Sequence, residues 1–173
     1  MKLSLVGICI FLLLVKAKAQ QDPEFPKEFI LHLKWHNGMQ TNFKRGSTDV
    51  YVGGLQLIPQ YTLVPKLLRA GIVLGGFYSN KKCQAIVGPT VSIKLKTLHA
   101  GPLGTVANIH ANLDWLWGTQ KQTLFGVGFN ADIGNKFIVG ISLHRDYTNN
   151  NWWIQNGLQF RLSKLKKKKQ TII

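Results

Sequence analysis

Alternation between apolar and polar residues is the feature that most constrains the fold of this chain. From position 107 to 117 every second residue is apolar: Ala107, Ile109, Ala111, Leu113, Trp115 and Trp117. The intervening positions are mostly polar: Asn108, His110, Asn112, Asp114 and Leu116. A period of two places the two sets on opposite faces of an extended strand. Because this pattern recurs along most of the chain, it predicts an all-β protein.

Eight segments carry the pattern, at about residues 28–37, 49–63, 67–78, 82–96, 104–117, 123–134, 136–146 and 151–164. Each is long enough for a barrel strand that crosses a membrane, which needs about 9–11 residues. Turn signals separate several of them, at Val64-Pro65-Lys66, Ala100-Gly101-Pro102 and Gly134-Asn135. The sequence therefore predicts an eight-stranded antiparallel up-and-down transmembrane β-barrel. An even strand number places both termini at the same end.

The columns of alternating apolar residues in these segments, such as Phe137, Val139, Ile141 and Leu143 in the seventh, contain no Asp, Glu, Lys or Arg. They use odd positions in most segments and even positions in the third and eighth, as at Leu74 and Ile154. Three residues fit the pattern badly. Pro59 and Pro89 each remove a ladder donor, which predicts bulges or kinks. Asn156 interrupts the apolar face of the last segment.

Alternation alone is equally compatible with a soluble barrel, which is apolar inside and polar outside. The outer surface of such a barrel would be rich in charged residues. Here the polar face consists mostly of Gly, Asn, Gln, Ser and His, which suit a narrow, filled interior. A charge at mid-membrane on the lipid-facing side costs about 2–4 kcal/mol. The uncharged face is therefore predicted to contact lipid.

Aromatic residues near the segment ends are typical of the belts at membrane interfaces. The predicted interfacial aromatics are Trp35, Tyr61, Trp115, Trp117, Tyr147 and Trp152.

The N-terminus has the pattern of a cleavable secretion signal at residues 1–19. Lys2 precedes an apolar run from Leu3 to Val15, and Ala17-Lys18-Ala19 is a small-x-small cleavage site. Residues 20–27 are interpreted as a lead-in to the barrel at 28–164. The formal charge is +15, and removal of three lysines with the signal leaves +12. Only Cys83 then remains, so no intramolecular disulfide can form.

The signal peptide, the strand count and the alternation together resemble small bacterial outer-membrane barrels of the OmpA-like and OmpX-like class. The resemblance covers about residues 28–164 and implies the outer membrane of a Gram-negative bacterium. Eight strands leave an interior wide enough only for side chains. The resemblance therefore implies a structural, adhesive or accessory role without catalytic turnover.

Charged and polar residues on the inward face predict a buried network, because buried charges must be paired or hydrogen-bonded. Its predicted members are His110, Asp114, Asp132, Arg69, Lys94 and Arg161, with Lys96 as further interior charge.

A second hypothesis is a lipid-modifying enzyme of the lipid A acyl hydrolase or transferase type. Ser142, His144 and Asp146 lie near the predicted outer rim and supply the residue types of a nucleophile, a base and an orienting acid. A third hypothesis is a soluble exported barrel that carries a lipophilic ligand. His32 and His36 would lie about 13 Å apart on a strand, too far for one metal ion. No metal or cofactor is expected.

Five lysines occupy the six positions from Lys164 to Lys169, at the start of a basic tail over 165–173. In an exported barrel this tail is predicted to be solvated. It is suited to contact anionic lipid, lipopolysaccharide or cell-wall polymer. Nucleic acid is not an expected partner, and a monomer is expected.

Overall fold

A computed structural model describes residues 28–44, 48–99, 105–133 and 136–163. The predicted signal peptide, lead-in and basic tail lie outside these residues, as do the turn signals at Ala100-Gly101-Pro102 and Gly134-Asn135. Eight strands make up the fold: β1 (Phe29–Thr41), β2 (Val50–Val64), β3 (Leu68–Ser79), β4 (Lys82–His99), β5 (Thr105–Gly118), β6 (Thr123–Ile133), β7 (Phe137–Asp146) and β8 (Asn151–Arg161).

The strands form one closed barrel in which each pairs with the next and β8 pairs with β1, always antiparallel. The predicted fold class is confirmed. We call the end with the β2–β3 turn and residue 163 the terminal end, and the opposite end the loop end. β1 is longer than predicted and runs to Thr41, because its ladder with β8 continues through Asn37 and Gly38 to the Thr41–Trp152 pair. Among the described residues, no helix is long and apolar enough to cross a membrane.

The strands are strongly staggered. Register partners followed once around the barrel leave β1 at Ile30 and return to β1 at Gln40, ten residues further along. The intermediate positions are Gln60, Gly71, Thr90, Asp114, Gly126, His144 and Trp153. This stagger is the shear of the barrel, and it tilts the strands by about 35–45° from the axis.

Two tight turns join strands through residues with positive φ. Asn80 and Lys81 have φ values of 49° and 61° and connect β3 to β4 as the two central residues of a hairpin. Positive φ at both central positions is the geometry of a type I′ turn, which matches the twist of the flanking strands. At the other end, Pro65 to Leu67 join β2 to β3. The predicted connection there is confirmed.

The predicted bulges at the prolines are wrong. Pairing between β2 and β3 is interrupted around Pro59 but resumes at Gln60 in the same register. Register shifts occur instead between Thr62 and Val64 and between Lys94 and Lys96. Both prolines point outward, where each interrupts one ladder without adding a residue to it.

The two faces of the barrel differ sharply in composition. Exposed apolar side chains occur on the outward positions of β1 to β7: Trp35, Leu57, Leu74, Val87, Leu113, Val127 and Ile141. In the described strands, Arg145 near the loop end and Lys96 near the terminal end are the charged residues on the outer wall. The inward positions carry the buried charges. A soluble carrier of a lipophilic ligand needs the opposite arrangement.

Candidate functional site

The interior near the terminal end contains an ion cluster formed by three strands. The carboxylate of Asp132 on β6 accepts a hydrogen bond from Arg161 Nη2 on β8 at 2.7 Å. Both side chains are only 2% exposed. Arg69 on β3 is also buried and lies within electrostatic range of both Asp132 and Arg161. The cluster thus contains one carboxylate, paired with Arg161, and a second buried guanidinium group at Arg69.

A second cluster lies further towards the loop end. His144 on β7 and Asp114 on β5 form a contact of 3.1 Å between Nε2 and Oδ2. Thr90 on β4 donates its hydroxyl to the other oxygen of Asp114 at 2.6 Å. Lys34 on β1 is buried and within electrostatic range of the same carboxylate. Asp114 is thus hydrogen-bonded by groups from two other strands, with the buried cation of Lys34 on a third.

The other predicted network members have mixed positions. His110 is buried and within electrostatic range of Arg69 and Arg161, so it adjoins the ion cluster. Lys94 is half-buried, and its backbone N–H donates to the Leu67 carbonyl at 2.8 Å. Lys96 is exposed, because the register shift after Lys94 turns it outward. The predicted interior position of Lys96 is therefore wrong.

The three residues of the enzyme hypothesis are not brought together as a relay. His144 uses Asp114 as its carboxylate partner, not Asp146. Asp146 accepts hydrogen bonds from the backbone of Thr148 and Asn149 and from the Asn149 side chain, and so stabilises the β7–β8 turn. Ser142 is buried on the same face as His144. Its hydroxyl does not hydrogen-bond to His144, whose Nε2 contacts Asp114 and whose Nδ1 has no partner among the described residues.

Amide and hydroxyl side chains fill the remaining polar interior. Gln60 donates to Ser92 at 2.9 Å, and Ser92 donates to Asn112 at 3.1 Å, which links β2, β4 and β5. Gln159 donates to Asn130 at 3.2 Å. Within the described residues no group of three His, Cys, Asp or Glu side chains could hold a metal ion.

Inward glycines make room for these polar side chains on the neighbouring strand. A Cβ at Gly126 would overlap the ring of His144, and a Cβ at Gly140 would overlap the amide of Asn130. In both cases the glycine and the polar residue are direct register partners. Three further partner pairs repeat the arrangement: Gly71–Gln60, Gly75–Gln56 and Gly128–Ser142.

We expect Gly126→Ala to destabilise the barrel by about 1–3 kcal/mol, the usual cost of overpacking a filled interior. The added methyl would also contact the Leu143 carbonyl, so movement of the His144 ring alone cannot relieve it. Gly76→Ala is the matched control. Gly76 lies on the outer wall, and its nearest contact would be an ordinary 3.6 Å. Urea unfolding in lipid vesicles measures both variants, and equal losses would contradict the close packing at Gly126.

Apolar side chains fill the interior towards the loop end, which the sequence analysis missed. This inner apolar cluster comprises Val52, Ile58, Val73, Phe77, Ile86, Leu116, Leu124 and Trp153. The Phe77 and Trp153 rings pack edge to face with centroids 4.9 Å apart. A signal was present in the sequence: at Leu124-Phe125 and Trp152-Trp153 both faces of the strand are apolar. Together with the polar groups below it, this cluster gives the described part of the interior buried side chains from the terminal end to the loop end.

Most predicted interfacial aromatics lie near strand ends on the outer wall. Trp115, Trp117, Tyr147 and Trp152 lie near the loop end, and Tyr61 lies near the terminal end. Trp35 instead occupies the midpoint of β1, six positions from either end. Arg145 lies 5.1 Å from the Trp152 ring centroid, a cation–π contact on the outer wall.

No protein-family model matches the chain, and no curated protein matches it. Solved structures of designed proteins are similar in fold. A chain described as "De novo design of transmembrane beta-barrels" aligns with a TM-score of 0.50 and 14% identity, over 80% of this chain and 99% of that one. The designed protein TMB2.3, solved by NMR, aligns with a TM-score of 0.47 and 14% identity. The alignment covers 80% of this chain and 98% of that one. The first likeness shows the fold that this chain shares with transmembrane barrel designs.

Proposed function

We propose that this protein spans the outer membrane of a Gram-negative bacterium as a closed, filled β-barrel with a structural, adhesive or accessory role. The observation that carries the proposal is the distribution of charge. The middle of the outer wall exposes apolar side chains and no charge in the described strands, whereas Arg69, Asp114 and Asp132 are buried inside. A water-soluble monomer rarely exposes a continuous apolar surface larger than a few hundred Å².

The dimensions of the barrel support this proposal. The shortest strand, β7, has 10 residues. At about 3.3 Å per residue and a tilt of about 40°, it rises about 25 Å along the barrel axis. The apolar band of outer-membrane barrels is also about 25 Å tall. In hydrocarbon, closure leaves no strand edge with unpaired backbone groups.

Charged residues at the two ends suggest which partners the barrel has. Arg145 and Trp152 lie together on the outer wall near the loop end, at the position of a lipid headgroup. Lys81, Lys82 and Lys121 are exposed at the same end. We infer that these cations contact anionic headgroups, with lipopolysaccharide as the natural source in an outer leaflet. The tail from Lys164 to Lys169 is suited to anionic lipid or cell-wall polymer at the other end.

The sharpest test places one charge at two depths on the same strand. Leu74 and Tyr78 both point outward from β3 and are similarly exposed. In a bilayer Leu74→Arg is expected to destabilise the barrel by about 2–4 kcal/mol, because Leu74 lies near mid-membrane. Tyr78→Arg is expected to cost about 0–1 kcal/mol, because it lies near the interface. Urea titration of the barrel folded into phosphatidylcholine vesicles gives both values.

Three simpler measurements accompany this test. The folded barrel is expected to migrate differently on an unboiled gel than after boiling, and to be protected from protease except at its loops and termini. Vesicles containing it are expected to retain small ions, because the interior is filled. A chain that is monodisperse in detergent-free buffer, with Leu74→Arg tolerated as well as Tyr78→Arg, would refute the membrane proposal.

A further inference from the structure

Two asparagines interrupt the apolar outer wall. Asn37 on β1 and Asn156 on β8 are direct register partners and both point outward. The Tyr51 hydroxyl donates to Asn37 Oδ1 at 2.6 Å, which satisfies that oxygen within the barrel. The Asn156 side chain is exposed and makes no hydrogen bond with the part of the chain that the structure describes. This is the residue that interrupts the apolar pattern of the last strand.

The depth of Asn156 makes its exposure costly in a bilayer. It is the sixth of the 11 residues of β8, and so lies at the midpoint of that strand. Lipid chains at mid-membrane carry no hydrogen-bonding atoms, so an amide facing them loses the bonds it would make with water. Polar residues placed this way in membrane proteins are expensive and usually have a partner.

A surface depression adjoins the amide. It has a volume of about 290 Å³ and is bordered by Trp35, Val139 and Leu158, and the backbones of Gly140 and Gly157 form its floor. Gly140 and Gly157 are direct register partners that face the interior, so between the outward side chains here the depression reaches the backbone of two adjacent strands. Next to it, Ile141 is a register partner of Asn156 and is 66% exposed. The wall therefore offers an amide, a hollow and a protruding side chain within a few residues.

We propose that this surface is the interface between two copies of the chain, related by a two-fold axis along the membrane normal. The inference rests on the proposed membrane insertion. Insertion in one direction places Asn156 of both copies at the same depth, where lipid offers no polar group. An amide both donates and accepts, so two Asn156 side chains can form two reciprocal hydrogen bonds across the axis.

The same axis accounts for the hollow and the protrusion. In a two-fold interface, if one residue contacts a second residue on the other copy, the reverse contact also exists. Ile141 of each copy can thus enter the depression at Gly140 and Gly157 of the other. Polar contacts between otherwise apolar surfaces are one of the means by which membrane segments associate. The expectation of a monomer came from the sequence, which does not show that these residues are adjacent.

Sedimentation equilibrium of the full chain in density-matched detergent micelles tests the interface. We expect a reversible dimer whose dissociation constant rises at least tenfold in Asn156→Leu and in Ile141→Ala. Asn156→Gln, which keeps the amide, is expected to lie between these and the unchanged protein. Val87→Ala is the matched control, because Val87 is similarly placed on the outer wall of β4, on the far side of the barrel. Asn156→Leu removes an exposed amide and is not expected to impair folding.

The outcomes separate this inference from the membrane proposal. A chain that inserts into vesicles but sediments as a monomer at every protein-to-detergent ratio overturns the dimer alone. A dimer whose dissociation constant is unchanged by Asn156→Leu and by Ile141→Ala overturns this interface. Failure to insert, with no heat-dependent gel shift, refutes the membrane proposal on which the interface rests.

Discussion

Asp132→Ala is expected to destabilise the folded barrel by about 3–5 kcal/mol, the cost of leaving a buried charge without its partner. The reason is that the ion cluster contains one carboxylate and two guanidinium groups. Asp132 pairs with Arg161 at 2.7 Å and also attracts Arg69, and all three side chains are buried. Its removal leaves the Arg161 guanidinium buried without its ion-pair partner, with Arg69 as a second buried cation in the same cluster.

Arg161→Met is the informative comparison for this prediction. It removes one cation but leaves Asp132 with Arg69, so a smaller loss is expected than for Asp132→Ala. Urea titration in vesicles, followed by tryptophan fluorescence, measures both free energies of unfolding. If Arg161→Met lowers the free energy of unfolding as much as Asp132→Ala does, then Arg69 does not interact with the Asp132 carboxylate. The proposed excess of cations in the cluster is then incorrect.

Trp153→Ala is also expected to lower the free energy of unfolding by about 3–5 kcal/mol. Here the reason is lost apolar packing and not an unpaired charge. Trp153 is 1% exposed and belongs to the inner apolar cluster, where it packs against Phe77. Truncation removes a large buried side chain and leaves a cavity that the rigid barrel wall cannot close. Its indole also donates to Asn151 at 3.1 Å, and this hydrogen bond would be lost.

Trp152→Ala provides a control with the same residue type at the adjacent position. Trp152 points outward and contacts Arg145, and a cation–π contact at an exposed site contributes about 0.5–1 kcal/mol. A much smaller loss is therefore expected than for Trp153→Ala. Equal losses, measured by the same titration, would mean that the two tryptophans do not lie on opposite faces of β8.

The strands and their two faces were predictable because both depend on residues close together in sequence. Alternation identified all eight strands and placed residues such as Leu74 and Asp132 on the correct sides. The alternation did not predict the inner apolar cluster because its members, among them Leu116 and Leu124, lie on the face that the sequence indicates to be polar. Their common position near the loop end becomes apparent only when the strands are aligned.

The interior contacts depended on information that no single strand contains. His144 was considered with Ser142 and Asp146 because these residues are near one another in the chain. Its carboxylate partner is Asp114, 30 residues away on a strand that is not a neighbour of β7. The two side chains reach each other across the interior only because the barrel is closed and narrow.

The sequence by itself determined the number of strands, the two faces of each and which of these faces is apolar. A period of two is a local property, since successive side chains point to opposite sides of a strand whatever it pairs with. The tertiary structure alone decided the shear of ten residues, the pairing of Asp132 with Arg161 and the adjacency of Asn37 and Asn156. These depend on the hydrogen-bond register between strands and on closure of β8 onto β1, which are set by all eight strands together.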